Sequence, residues 1–139
     1  MIRTGIQISS ILKWSVAVLI IFNCYLEAQI FTPDDSLICN AKFKLALDKN
    51  FENEPIGDVI ASIGKSFIGT GYIAHSLERT GGECLVVNLS SLDCTTLIEN
   101  SLAIARCIKQ KKTSFRDFTK ELTSIRYRSG IRDPGHLQY

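Results

Sequence analysis

The residue with the clearest chemical potential in this sequence is Cys94. It directly follows Asp93, a favourable helix N-cap, and precedes Leu97, Ile98 and further apolar residues at helical spacing. We therefore expect Cys94 in the first turn of a helix, where free backbone amides and the helix dipole favour the thiolate. This position predicts a nucleophile. The alternatives are a small buried residue or a disulfide partner.

Two histidines could assist such a cysteine. His75 lies in a loop-rich segment beside Tyr72, where it could orient a substrate or be a hydrogen-bonded loop residue. His136 lies three residues from the end of the chain. Chain ends rarely hold a side chain as rigidly as a catalytic base requires, so we do not assign the base to His136. Glu78 and Glu99 are each candidates for polar positioning or solvated surface carboxylates.

The amino-terminal segment has the layout of a secretory signal peptide. Two basic residues precede the apolar run Trp14–Phe22, which at nine residues is far shorter than the ~20 that span a bilayer. Cleavage after Ala28 divides the chain into a signal peptide, residues 1–28, and a single domain, residues 29–139. The alternatives are a retained membrane anchor, for which the apolar run is short, and lipidation of Cys24, for which Asn23 makes a poor lipobox. The sequence predicts export to the periplasm or cell envelope, with no membrane association after cleavage.

Four of the five cysteines remain after that cleavage: Cys39, Cys84, Cys94 and Cys107. An even number in an exported chain allows a disulfide interpretation with three pairings, including Cys84 with Cys94. The sequence contains no CxxC and no paired histidines, so we predict neither a metal site nor another cofactor.

Composition sets the scale of the fold. The chain has 139 residues, 45% of them hydrophobic, and a net charge of +2, which is too balanced to indicate nucleic-acid binding. Helical spacing and capping residues predict four helices, and β-branched or alternating segments predict two strands. The helices are expected over residues 37–50, 55–67, 94–108 and from Ser114 to Leu122, and the strands over Cys84–Leu89 and Ile125–Arg128.

Three segments resemble a bacterial family described as N-acetylmuramoyl-L-alanine amidase-like (DUF1460). They are FIGTGYIAHSLE at 67–78, LVVNL at 85–89 and LDCTTLIEN at 92–100. The resemblance covers about residues 54 to 130, and the family is related to the NlpC/P60 and papain-like cysteine hydrolases. It implies an α+β fold: the N-terminal helical half of a papain-like domain with the start of a β-sheet, incomplete in this chain.

The same resemblance implies cleavage of an amide bond in peptidoglycan or muropeptides by a cysteine nucleophile. Cys94 then becomes the nucleophile, and its own amide would help to bind the oxyanion. The remaining site residues have supporting parts: Gly69, Thr70, Tyr72 and His75 in substrate binding, Asp93 as the cap of the nucleophile helix, and Glu99 as support from the next turn.

Other hypotheses remain open at this stage. Family members are longer, and their catalytic histidine is expected on a strand of the second half, so this chain resembles an N-terminal portion. A truncated homologue that binds cell-wall peptide without turnover is therefore one alternative. An endopeptidase acting on the D-glutamyl–diamino acid bond is another, and a small disulfide-stapled exported protein is the third.

Overall fold

A computed structural model of the protein describes residues 29–78, 83–132, 135 and 137. The predicted signal peptide, residues 1–28, and His136 lie outside these described residues. In chain order the elements are β1 (Gln29–Ile30), α1 (Pro33–Asp48), α2 (Ile56–Lys65), β2 (Gly71–Tyr72), β3 (Leu85–Val86), β4 (Ser91–Leu92), α3 (Cys94–Lys109) and α4 (Phe115–Arg126). Short 3₁₀ helices follow α1 at Phe51–Asn53 and α4 at Arg128–Gly130.

Helix α3 forms the centre of the fold, because α1, α2 and α4 all pack against it. Its buried positions include the small residues Ser101, Ala103 and Ala105, which allow neighbouring helices to approach closely. On α2, a Cβ placed at Gly64 would lie 3.6 Å from the Ser101 hydroxyl oxygen. Phe118 and Leu122 of α4 are fully buried in the same core.

Local hydrogen bonds define where the helices begin. Thr32 caps α1 and forms a reciprocal capping box with Asp35, so α1 starts at Pro33, earlier than the hydrophobic pattern predicted. Asp93 caps α3 and Ser114 caps α4, which confirms both predicted starts. These caps satisfy backbone amides that have no partner within the helix.

The strands form two small parallel sheets. β1 pairs with β3, and β2 pairs with β4 so that Tyr72 lies opposite Leu92. The expected strand over Cys84–Leu89 was wrong in length, since only Leu85–Val86 forms a ladder. The reason is a turn at Asn88, whose Oδ1 accepts hydrogen bonds from the amides of Ser90 (3.1 Å) and Ser91 (2.9 Å).

The expected strand over Ile125–Arg128 was also wrong. Helix α4 continues to Arg126, and the Tyr127 amide still donates to the Thr123 carbonyl at 2.9 Å. Tyr127 itself forms an isolated antiparallel bridge with Leu137. The alternation of apolar and polar residues over this segment was misleading because Arg126 does not face solvent. Its side chain is buried and paired with Glu99. The mixed α+β class holds, with helices dominating the described residues.

No helix within the described ranges is both long and apolar enough to cross a membrane.

Candidate active site

A capping box fixes the position of Cys94. The Asp93 carboxylate accepts hydrogen bonds from the Thr96 amide at 2.7 Å and the Thr96 hydroxyl at 2.8 Å. The Asp93 amide in turn donates to Thr96 Oγ1 at 2.9 Å. The pKa of Asp93 lies below its ordinary value of 3.8, chiefly because the Thr96 amide donates to it, while partial desolvation acts the other way. Asp93 is therefore ionised at neutral pH, and Cys94 begins α3 with its side chain exposed.

Two cavities meet at Cys94. Both are lined by Tyr72, Asp93 and Cys94, and we call these three shared residues the ridge. The larger cavity, about 450 Å³, is completed by Ala74, His75, Leu77, Glu78 and Thr95. The smaller cavity, about 360 Å³, is completed by Gly64, Phe67, Ile68, Thr70, Gly71, Leu92 and Leu97. A molecule bound across the ridge would place one group in each cavity and its central bond over Cys94.

The pairing of β2 with β4 brings Tyr72 to this ridge. Tyr72 lies opposite Leu92, the residue before Asp93, and its side chain is 76% exposed. Thr70 lines the smaller cavity. Gly69 is not among the residues lining either cavity. It turns the chain after α2 with a φ of 92°, a conformation that glycine adopts without strain.

His75 lies in the larger cavity as part of an exposed pair. Its Nδ1 is 2.5 Å from Glu78 Oε1, and both side chains are 74% exposed. The His75 backbone adopts a left-handed φ of 58° at the start of a turn that the Glu78 amide closes on the His75 carbonyl at 3.1 Å. The contact leaves Nε2 as the ring nitrogen available to a ligand.

Glu99 lies behind the site. Its side chain is buried and accepts hydrogen bonds from Arg126 Nε at 3.1 Å and Nη2 at 2.7 Å. Arg126 Nη1 also donates to the Val86 carbonyl at 2.8 Å. The sequence interpretation missed Arg126 because it placed this residue in a strand. Its spacing from Phe118 and Leu122, at successive steps of four, would have indicated the buried face of α4.

The four described cysteines are all free thiols. Cys94 is exposed, Cys84 is half-buried, and Cys39 and Cys107 are buried. The pairing of Cys84 with Cys94 considered from the sequence is therefore not present in the structure. Within the described part of the chain, no three His, Cys, Asp or Glu side chains are grouped so as to hold a metal ion.

Comparison with known families defines the class of protein. The model of the AmiA-like family, described as N-acetylmuramoyl-L-alanine amidase-like, matches residues 62–136. That range includes Tyr72, the other residues that line the two cavities, and all of α3. The chain belongs to this family.

Solved structures agree with that assignment. An N-acetylmuramoyl-L-alanine amidase from Bacteroides uniformis is 38% identical, with a TM-score of 0.55, over 60% of this chain and 36% of that protein. A Legionella pneumophila protein of the DUF1460 family shares the fold, with 22% identity and a TM-score of 0.55 over 74% of this chain and 33% of that one. The chain thus spans about a third of the length of these structures. No curated protein is significantly similar to it.

Proposed function

We propose that this protein is an exported peptidoglycan hydrolase that cleaves the amide bond between N-acetylmuramic acid and L-alanine, with Cys94 as the nucleophile. The observation that carries the proposal is the position of an exposed thiol at the first residue of α3, on the ridge between two cavities. Family membership supplies the reaction class, because the matching family is amidase-like.

The geometry supports two parts of an acyl transfer, the nucleophile and the site for the oxyanion. The Cys94 thiolate would attack the carbonyl carbon of the scissile amide, and the C–N bond would then break to leave the lactyl group on sulfur as a thioester. The peptide amine would leave with a proton from a general acid, which the resemblance implies is a histidine in a later part of the domain. Water would then hydrolyse the thioester. The oxyanion would form beside the open start of α3, where the Cys94 amide can donate to it and the helix dipole favours negative charge.

The two cavities fit a substrate with bulky groups on both sides of the scissile bond. A sugar on one side and a peptide on the other would occupy both, with Tyr72 beside the bond. We assign substrate contacts to Tyr72, Thr70 and His75, each of which lines a cavity. Gly69 would shape the loop that carries them. Asp93 would act through the position of α3, and Glu99 through the core behind it.

The direct test is incubation of the purified protein with disaccharide-peptide muropeptides and analysis of products by mass spectrometry. We expect a free disaccharide carboxylic acid and a peptide with a free L-alanine amine. Cys94→Ala should abolish both products, whereas the matched control Cys84→Ala, which alters a half-buried thiol outside the cavity linings, should retain them. Full activity of Cys94→Ala would contradict the proposal. Cleavage after D-glutamate would instead support the endopeptidase alternative.

A second candidate function is binding without turnover. It is favoured by the fraction of relatives that the chain spans, about a third, because the resemblance implies a catalytic histidine in a later part of the domain. Saturable muropeptide binding that Tyr72→Ala weakens, combined with no products at any pH, would support this function over hydrolysis.

Export is a separate proposal. The apolar run at residues 14–22 with its basic flank supports removal of residues 1–28 at the membrane. Mass spectrometry of the protein from the producing cell should find a chain that begins at Gln29. A lipid-modified Cys24 would support the lipoprotein alternative, and an intact amino terminus in the cytoplasm would contradict export.

A further inference from the structure

Residues 86–89 lead from β3 towards β4 and Cys94, and three helices hold this segment by side-chain hydrogen bonds to its backbone. Arg126 of α4 donates to the Val86 carbonyl at 2.8 Å. Asn100 of α3 donates to the Asn88 carbonyl at 3.1 Å. Asp35 of α1 accepts from the Leu89 amide at 2.7 Å.

All three side chains are buried. Asp35, Asn100 and Arg126 are 2%, 1% and 3% exposed, respectively. Burying polar and charged groups costs free energy unless hydrogen bonds compensate, so the bonds to residues 86–89 help to keep all three side chains in place. For Asn100 the bond from Nδ2 matters most, because its Oδ1 has no hydrogen-bond partner among the described residues. The two ionisable side chains also have further partners: Arg126 pairs with Glu99, and the second oxygen of Asp35 accepts from the Thr32 amide at 2.7 Å. Such bonds fix the position of residues 86–89 relative to the three helices, which apolar packing alone would leave free to slide.

The Asn100 bond is the one most directly connected to the nucleophile. Asn100 lies on α3, less than two turns after Cys94, and it bonds to Asn88, which precedes β4. The bond therefore closes a loop, residues 88–100, that contains β4, the Asp93 cap and Cys94. Within that loop Asn88 Oδ1 also holds the turn into β4. Movement of Asn88 would shift both the cap of α3 and the strand that pairs with Tyr72.

We infer that Asn100, Arg126 and Asp35 are positioning residues that hold Cys94 in its place on the ridge between the two cavities. This inference rests on the proposed role of Cys94 as nucleophile. The residues act through the backbone of residues 86–89 and do not line either cavity. Their function is to keep the first turn of α3, with its open amides, intact around the thiol.

The test is the rate of Cys94 alkylation by iodoacetamide as a function of pH, followed by peptide mass spectrometry on the folded chain. Asn100→Leu removes the donor and keeps the number and branching of the side-chain heavy atoms. We expect its pH midpoint for Cys94 alkylation to rise by roughly half a unit or more, because a loosened first turn stabilises the thiolate less. Ser101→Ala is the matched control: Ser101 is the next residue on α3, is 1% exposed, and its hydroxyl has no hydrogen-bond partner among the described residues.

The pH midpoint separates positioning from simple stability, since a merely structural residue would lower the unfolding temperature and leave the midpoint unchanged. A folded Asn100→Leu variant with the wild-type midpoint, or an equal shift in Ser101→Ala, would overturn the inference. If Asn100→Leu does not fold, Arg126→Lys is judged by the same criterion. This variant keeps the charge opposite Glu99 but loses the forked geometry of the guanidinium group. Alkylation needs no turnover, so the result is independent of whether the protein hydrolyses muropeptides.

Discussion

The two ends of α3 carry the same residue type in opposite environments. Cys94, at the amino-terminal end, is exposed on a ridge between two cavities. Cys107, near the carboxyl-terminal end, is 1% exposed, and burial raises its pKa to about 12, with Glu121 and Asp117 adding to the shift. Cys39 of α1 is buried in the same core, and desolvation, reinforced by Cys107, raises its pKa as well. The environment of each thiol, and not the residue type, decides which one can act as a nucleophile.

The largest expected effect is on muropeptide hydrolysis, and it separates Cys94 from Cys107. Cys94→Ala should lower muropeptide hydrolysis by a factor on the order of 10³ or more, because it removes the attacking atom. Cys107→Ala should leave the rate near that of the wild type while lowering the unfolding temperature. Product release measured by mass spectrometry, together with thermal unfolding, checks both. Loss of activity in Cys107→Ala at a temperature where it is fully folded would break the comparison.

The second effect concerns access to the thiols. In the native protein iodoacetamide should modify Cys94 first and Cys84 more slowly, while Cys39 and Cys107 should react only after urea is added, since both are buried and protonated at neutral pH. Peptide mapping of the alkylated sites over time measures the order. Native-state labelling of Cys107 as fast as that of Cys94 would show that the core opens readily.

A third effect compares a buried ion pair with an exposed one. Arg126→Met leaves Glu99 buried without its partner and should cost about 3–5 kcal/mol in the free energy of unfolding. Replacing both residues, with Glu99→Leu added, should recover much of that loss. The exposed pair of His75 and Glu78 serves as the control: His75→Ala should cost about 1 kcal/mol or less. Urea unfolding gives the free energy of unfolding of each variant. Equal losses for Arg126→Met and His75→Ala would contradict the contrast between the buried and the exposed pair.

The smallest effect is the cap of α3. Asp93→Ala should destabilise the protein by about 1 kcal/mol at neutral pH, whereas Asp93→Asn should retain most of the cap. The folded pKa of Asp93 lies below its ordinary value of 3.8, so its contribution is present above that pH and is lost as the pH falls through the folded value. The difference in unfolding temperature between wild type and Asp93→Ala should thus shrink in strong acid. A constant difference down to pH 2 would contradict a role for the ionised carboxylate.

Some parts of the fold were predictable because they depend on neighbouring residues. The start of α3 is determined by Asp93 and Thr96, three positions apart, and the start of α4 by Ser114 and Asp117 at the same spacing. The strand predicted over Ile125–Arg128 failed because alternation along four residues cannot reveal that Arg126 faces a buried Glu99. The short length of β3 was missed because the Asn88 turn interrupts a segment whose composition favours a strand.

By itself, the sequence determined the identity and helical position of the candidate nucleophile, since capping and helical periodicity act over a few residues. Family resemblance likewise followed from the segments at 67–78 and 92–100. Only the tertiary structure decided which side chains surround Cys94 and which hold it from behind. The bonds from Asp35, Asn100 and Arg126 to residues 86–89 join positions 54, 12 and 40 residues apart. Such partners are selected by how the helices pack in space, and no local pattern in the sequence specifies them.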